Sequence, residues 1–437
     1  MGIGSSPTVG STCDTCLQKF TIHFRRIEDS IYDGSYGFDW YRPEFFRKMT
    51  YYQGISAAKE RTRVALVQGT LDALKSTYTN GQKTRINPHD MEYIPAWLAI
   101  YSNEWLNANN FKVNDSYITL NLELIPIEAD ENFKLQNDGT VIIFKSSNPN
   151  IIIEPSEINI ADFSYSQKKT RNSETLENNI ENEFYYLMSN IVRIQCKSML
   201  QNHEEILVYA KKNGNEKIVG QLMIYHNSVI PTMNIQMIHL KTKGIPFKPL
   251  DDYKDFLKYR AFNQALIHVD FNDDIIFNVG AIKVNSKNTS LEDSLERLKA
   301  NIKSNLLDDV NNIYQHYFKK VKTDNYVFMT NINLGSPAGV ADEDNKRVIM
   351  FKKSETNFNQ ILAHELAHRY GLDHLFDPQK TIAGAKSFQF RQGTTSNFLD
   401  YDHKDKNDTN EEILANPNLS LSYFFKYQWD LLRKKVK

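Results

Sequence analysis

The chain has 437 residues, 41% hydrophobic and 24% charged, which suffices for roughly two to four globular domains with at least one sizeable core. Lys and Arg (52) nearly cancel Asp and Glu (53), so no global field points to nucleic acid or an anionic membrane. No apolar run reaches bilayer-spanning length, so no transmembrane segment is expected.

The first residues, MGIGSSPTVGSTCDTC, carry neither a basic n-region nor an apolar h-region. They do not read as a classical signal peptide, so the chain is expected to be made in the cytoplasm, with any export by a specialised route. Gly2 with Ser6 fits the N-myristoylation pattern, which is short and matches easily by chance. Cys13-x-x-Cys16 suits a redox pair or half a zinc site. No second ligand pair follows and His23 alone adds little, so two thiols in a flexible tail explain it more simply. With Cys196 there are three cysteines, too few for a disulfide framework.

Phe20 to Phe24 alternates and is a predicted strand. Tyr32 to Phe45 is turn-rich and aromatic, as packing surfaces are. Gly54 to Leu74 has helical character. From Tyr117 the pattern turns β-like: Ile118 to Ile127 alternates, and Asn137-Asp138-Gly139 is a turn before the strand TVIIF. Ser146 to Ile158 resembles, over that short stretch, a strand junction of bacterial immunoglobulin-like domains. Ser164 to Glu183 has almost no apolar content and reads as a long loop or linker. Ile206 to Ala210 and Lys217 to His226 flank Asn213-Gly214, a strong hairpin signal. Ala265 to Phe271, Asn325 to Leu334 and Arg347 to Phe351 are further predicted strands. Leu291, Leu295, Leu298, Ile302 and Leu306 recur at helical spacing behind a Ser290-x-x-Asp293 cap. A terminal helix is expected over Leu421, Phe424, Phe425, Gln428, Leu431 and Leu432.

The stretch ILAHELAHRYGLDHLFD (Ile361 to Asp377) carries the chemistry. His364 and His368, four residues apart, share one face of a helix and can reach one ion. Glu365 projects about 100° around the axis, where a general base for an activated water is wanted. Gly371 ends the helix in a left-handed turn, and His374 can come back as a third ligand. Three neutral imidazoles leave an ion its positive charge and one position for water, the pattern of catalytic rather than structural zinc. Fixing all five positions lowers chance occurrence to roughly one in ten thousand, which disfavours solvated or packing histidines. Tyr401 to Glu412 is rich in carboxylates but lacks the spacing and glycine of a calcium loop, and it reads as solvated, His403 with it.

His364-Glu365-x-x-His368-x-x-Gly371-x-x-His374 resembles the signature of the metzincins, zinc-dependent endopeptidases. The resemblance implies that His364, His368 and His374 bind Zn2+ and that Glu365 is the catalytic base and acid. It also implies an edge strand that pairs with the substrate backbone, expected near Arg347 to Phe351 and fed by Gly335 to Ala341. Ser396 to Tyr401 (SNFLDY) matches the family's Met-turn, with Leu399 where methionine is expected and Tyr401 at the tyrosine of some members. That match gives Tyr401 either a role as ligand or oxyanion stabiliser, or plain packing. Leucine fills a similar volume beneath the site.

The expected fold is multidomain: a β-rich N-terminal region followed by an α/β (α+β) metzincin-like catalytic domain. The expected units are a docking or targeting region (1–116), a β-rich region (117–245) and the protease (246–437). The expected partner is a protein or peptide substrate, with no nucleic acid. The N-terminal opening loosely resembles leader regions of effectors of contractile injection and type VI secretion systems, which would make the protein a delivered toxin and the apparatus a second partner. The N-terminal half would otherwise position substrate, cover the site as a pro-region, or supply a blocking thiol from Cys13 or Cys196. A zinc-binding pseudoenzyme used as a scaffold is the alternative, and Glu365 argues against it.

Overall fold

A computed structural model describes residues 17–27, 32–42, 45, 48–51, 61–64, 66, 71–79, 86–111, 117–127, 132–166, 168–174, 180–241, 247–278, 323, 325–333, 338–342, 347–377, 379–381, 384–401 and 421–436. The myristoylation pattern, Cys13, Cys16, the expected helix over Leu291 to Leu306, His403 and the carboxylate-rich stretch after Tyr401 lie outside these residues.

The fold is β-rich and mixed α/β. Its first sheet runs Phe20–Arg25, Ile118–Pro126, Ile180–Cys196, Lys168–Glu174, Lys48–Tyr51 and Arg61–Val64, with Ile151–Glu154 added against Ile180–Cys196. The second runs Gly37–Asp39, Ala96–Ala99, Asn215–Ile224, Glu204–Lys212, Val141–Ser146 and Glu157–Asn159. Each draws strands from both sides of residue 116, through antiparallel Phe20–Arg25 with Ile118–Pro126 and parallel Ala96–Ala99 with Asn215–Ile224. The expected break at 116/117 is therefore not a break in the sheets. The Tyr93 hydroxyl ties the two together, donating to the Ile22 carbonyl at 2.7 Å and accepting the Gln221 N–H at 3.2 Å.

Several predicted strands appear where the alternation placed them, and the Asn213-Gly214 hairpin turns with both residues at positive φ (46° and 85°). The predicted linker differs: Lys168–Glu174 is a strand paired with the start of Ile180–Cys196. Main-chain pairing needs no apolar content, and Arg171 adds ion pairs to Glu183 (2.5 Å) and Glu123 (2.7 Å). Within the expected helix over Gly54 to Leu74, Arg61–Val64 is a strand and the helix spans Leu71–Thr79.

The third sheet positions the site. Its order is His268–Phe271, Thr232–Lys241, Asn325–Met329, Arg347–Met350 and Gly339–Asp342, with Ile275–Asn278 also paired to Thr232–Lys241. All pairs are parallel except the last, Gly339–Asp342 on Arg347–Met350. Arg347–Met350 is buried throughout, as a strand covered on both faces must be. Among the described residues, the edge beside the helix Phe358–Arg369 is thus Gly339–Asp342, and not Arg347 to Phe351 as the sequence suggested. Thr232–Lys241 lies inside this sheet, before the expected boundary at 245/246. One continuous cluster of buried side chains links all three sheets, from Phe20 to Val436. No helix among the described residues is long and apolar enough to cross a membrane.

Candidate metal centre

The helix Phe358–Arg369 carries His364, Glu365 and His368, all on or close to its buried side. It ends at Tyr370, and Gly371 takes φ +74°, a conformation a side chain would resist. The Gly371 N–H donates to the His368 carbonyl (2.8 Å) and the Leu372 N–H to the Ala367 carbonyl (3.2 Å). These two bonds form a Schellman motif, which satisfies the helix end and reverses the chain. His374 thereby returns to the two helical histidines, and ligand atoms of the three lie within 4.8 Å of one another.

The ring orientations decide what the cluster can do. His364 Nδ1 lies 2.7 Å from the Phe398 carbonyl, and His368 Nδ1 lies 2.6 Å from the Leu372 carbonyl. A carbonyl only accepts, so each Nδ1 carries the proton and each Nε2 presents a lone pair. His374 Nδ1 faces the Asp377 carboxylate at 3.4 Å, which favours the same tautomer. His368 Nε2 then sits 3.0 Å from His364 Nε2 and 3.1 Å from His374 Nε2. Three lone pairs so placed repel one another, and a cation among them converts the repulsion into bonds. Tetrahedral zinc at about 2.0–2.1 Å from each nitrogen would space them about 3.3 Å apart, close to the distances seen. The residues present therefore fit a metal ion.

Burial also favours the neutral form of two of the rings. Burial pushes the His368 ring down to about 4, and the adjacent His374 ring adds to the effect. Burial lowers His374 as well, against the Asp377 charge. Glu365 is only 8% exposed, and burial pushes its carboxyl up to about 8. It lies directly against the edge strand: a Cβ on Gly339 would come within 2.7 Å of its Cγ and 2.8 Å of its Oε1. Only glycine leaves room for the carboxylate there.

The Tyr401 hydroxyl is 2.7 Å from His374 Nε2. Burial raises its pKa to about 12, with the Glu365 charge next in effect, so it remains a proton donor. A cation would claim the His374 lone pair and free this hydroxyl for a ligand oxygen. Leu399, at the expected methionine position, is fully buried, and its carbonyl accepts the Leu375 N–H at 3.1 Å.

Asp400 was not singled out by the sequence. Fully buried between Leu399 and Tyr401, its carboxylate accepts the N–H groups of Gly393 (2.7 Å), Thr394 (3.1 Å), Thr395 (2.8 Å) and Tyr401 (2.8 Å), and the Thr395 hydroxyl (2.8 Å). It holds in shape the turn that presents the Phe398 carbonyl and the Tyr401 hydroxyl. The donor-rich GTTS just upstream was the available signal. The turn is fixed from behind as well, by Asn397 with Gln428 (2.7 Å), Ser422 N–H with the Ser396 carbonyl (2.9 Å) and Phe398 N–H with the Tyr423 carbonyl (2.9 Å). Residues Leu421 to Phe425, expected to be helical, are thus extended, and the helix starts at Lys426.

Cys196 belongs elsewhere. Its thiol sits 3.0 Å from the Ser198 carbonyl and 3.5 Å from Asn227 Nδ2, in the first sheet, and does not block the histidine cluster. His23 stacks on Tyr93 (4.7 Å between ring centres) and its pKa is lowered by burial. No family model matches this chain, and no curated protein matches it in sequence.

Proposed function

We propose that the chain is a zinc-dependent endopeptidase of the metzincin type. The observation that carries this reading is the convergence of three Nε2 lone pairs beside a buried carboxylate. An all-nitrogen set of three suits zinc and leaves a position for water and substrate. Bound zinc supplies a Lewis acid that polarises a scissile carbonyl and acidifies water.

The chain's own residues do the rest. Glu365 takes the proton of the attacking water and passes it to the leaving amine. Burial raises its pKa, and a cation held by the three histidines would keep it ionised and able to accept that proton. The Tyr401 hydroxyl donates to the oxyanion that develops on the substrate. Among the described residues, Gly339–Asp342 pairs on one side only, with Arg347–Met350. Its other side offers main-chain donors and acceptors to an extended peptide, next to Glu365.

Peptide-library cleavage by wild type and Glu365→Gln, with zinc content measured on both, tests this reading. The wild type is expected to hold about one zinc per chain and to lose cleavage on chelation. Glu365→Gln should keep the zinc and lose a factor of about a hundred to ten thousand in turnover. Equal turnover in the variant would remove Glu365 from its role. Zinc binding with no cleavage by wild type across diverse peptides would favour the scaffold.

A further inference from the structure

The turn that aims His364 leans on residues 421–425, and these lean in turn on two buried side chains outside the motif. The first is Gln264, fully buried in the short helical turn Phe262–Ala265, just ahead of the third-sheet strand His268–Phe271. Its Nε2 donates to the carbonyls of Ser422 (2.8 Å) and Arg260 (2.7 Å), and its Oε1 accepts the Phe424 N–H (3.2 Å). Two carbonyls and one N–H fix the orientation of the amide. A side-chain amide carries the donor and the acceptor of a peptide unit. Gln264 thus takes up the main-chain groups of 422–424 that Ser396 and Phe398 leave over, as a neighbouring strand would.

The N-terminal part of the chain seats this amide. The adjacent Asn263 donates from Nδ2 to the Gly34 (3.1 Å) and Ser35 (2.8 Å) carbonyls. Gly37 lies flat on the same turn, where a Cβ would stand 2.0 Å from the Gln264 carbonyl oxygen. Only glycine permits that approach.

The second side chain is Asp39, two residues further on and also fully buried. Its carboxylate accepts the Lys426 N–H at the start of the terminal helix (2.7 Å), the Tyr78 hydroxyl (2.8 Å) and Arg42 Nη1 (2.8 Å). The Lys426 N–H is one of the donors a helix start leaves over, and a negative charge is favoured there. Residues 34–39 therefore hold 422–426 at both ends, through Asn263 and Gln264 at one and through Asp39 at the other.

We propose that Gln264 and Asp39 are positioning residues of the metal centre, so that the N-terminal part of the chain completes the site rather than covering it. Gln264 acts through Ser422 and Tyr423 on Phe398, whose carbonyl sets the His364 ring. Asp39 acts through the terminal helix, where Gln428 meets Asn397 of the same turn. Both roles rest on the metal reading proposed above.

Co2+ accepts the same imidazole ligands as zinc, and its visible absorption follows their geometry. Full-length wild type, Gln264→Met, Asp39→Asn and Gln221→Met are loaded with it and compared. Gln221 is an equally buried glutamine whose amide reaches Glu205 within the second sheet, so its variant controls for lost stability alone. Gln264→Met should shift the cobalt band and bind Zn2+ about tenfold more weakly in competition with a chelator. Asp39→Asn should shift both in the same direction, and Gln221→Met neither. Hydrogen exchange on the wild type needs no variant to fold. By reciprocity, Zn2+ should slow amide exchange in residues 34–39 and 422–426 and leave 204–212 unchanged. A wild-type band and zinc affinity in Gln264→Met or Asp39→Asn would remove that residue from its role. An equal shift in Gln221→Met, or exchange in 34–39 indifferent to Zn2+, would overturn the proposal while leaving the metal reading intact. A wild type that gives no cobalt band would overturn the metal reading itself.

Discussion

Among the described residues, histidines come together in two places, with opposite chemical outcomes. At the helix Phe358–Arg369, ring Nδ1 atoms meet backbone carbonyls, so protons go there and Nε2 lone pairs converge. Beside the second sheet, His203 and His226 lie with ring centres 4.9 Å apart. There the His226 backbone N–H donates to His203 Nδ1 at 3.1 Å. That bond consumes the lone pair on Nδ1, and a neutral His203 must carry its proton on Nε2, leaving no ligand atom. The ring packs against Trp97 and Tyr225 instead. Proximity of histidines is thus no sign of a metal centre. What decides is whether the backbone offers each ring a carbonyl or an N–H.

The largest break in that comparison comes from exchanging the two kinds of histidine. His368→Ala is expected to abolish both zinc retention and cleavage, while His203→Phe keeps zinc at the wild-type ratio, as metal analysis of both variants would read. Zinc retained by His368→Ala would end the three-ligand scheme. Next comes the frame around the first cluster. Asp400→Ala leaves several buried N–H groups without an acceptor, and should lower unfolding stability by about 2–4 kcal/mol, measured by chemical denaturation. Cleavage should fall with it, through misplacement of Tyr401.

A smaller effect comes from pH acting on the second cluster. Burial, with the His226 ring next, pushes His203 down to about 3, from an ordinary value near 6.5. A lowered folded-state value means protons prefer the unfolded chain. The contribution is therefore complete above about pH 6.5 and is lost as pH falls toward 3. Between pH 6.5 and 5 it should cost up to about 2 kcal/mol, and the stability profile of His203→Phe should be flatter over that interval. An identical slope in both proteins would refute the assignment. The smallest change is Leu399→Met, which restores the expected Met-turn residue at similar volume. It should shift stability by less than about 1.5 kcal/mol and leave turnover nearly unchanged.

The histidine cluster was legible because it is local: His364 to His374 needs one helix and one turn, and both carry their signals in adjacent residues. The strands Phe20–Arg25 and Ile118–Pro126 were legible for the same reason, since alternation is a short-range pattern. Their pairing was not, because nothing in either strand names a partner so far along the chain. Thr232–Lys241 looked like the end of the β-rich region and is a central strand of the sheet beside the site. Lys168–Glu174 was hidden by its polarity, because its ladder rests on main-chain bonds and ion pairs. Asp400 was missed because its worth lies in five donors that only the folded turn gathers round it.

The extended residues Leu421 to Phe425 also set an order of events. The Phe398 carbonyl that fixes the His364 ring belongs to a residue whose own N–H is held by Tyr423. As the chain is synthesised, the three histidines emerge first and the residues that support the Phe398 carbonyl emerge later. Until those late residues arrive, the carbonyl that aims His364 lacks its own support, although the helix and the Gly371 turn already hold His368. The centre is thus finished by the end of the described chain, long after its own motif has been made.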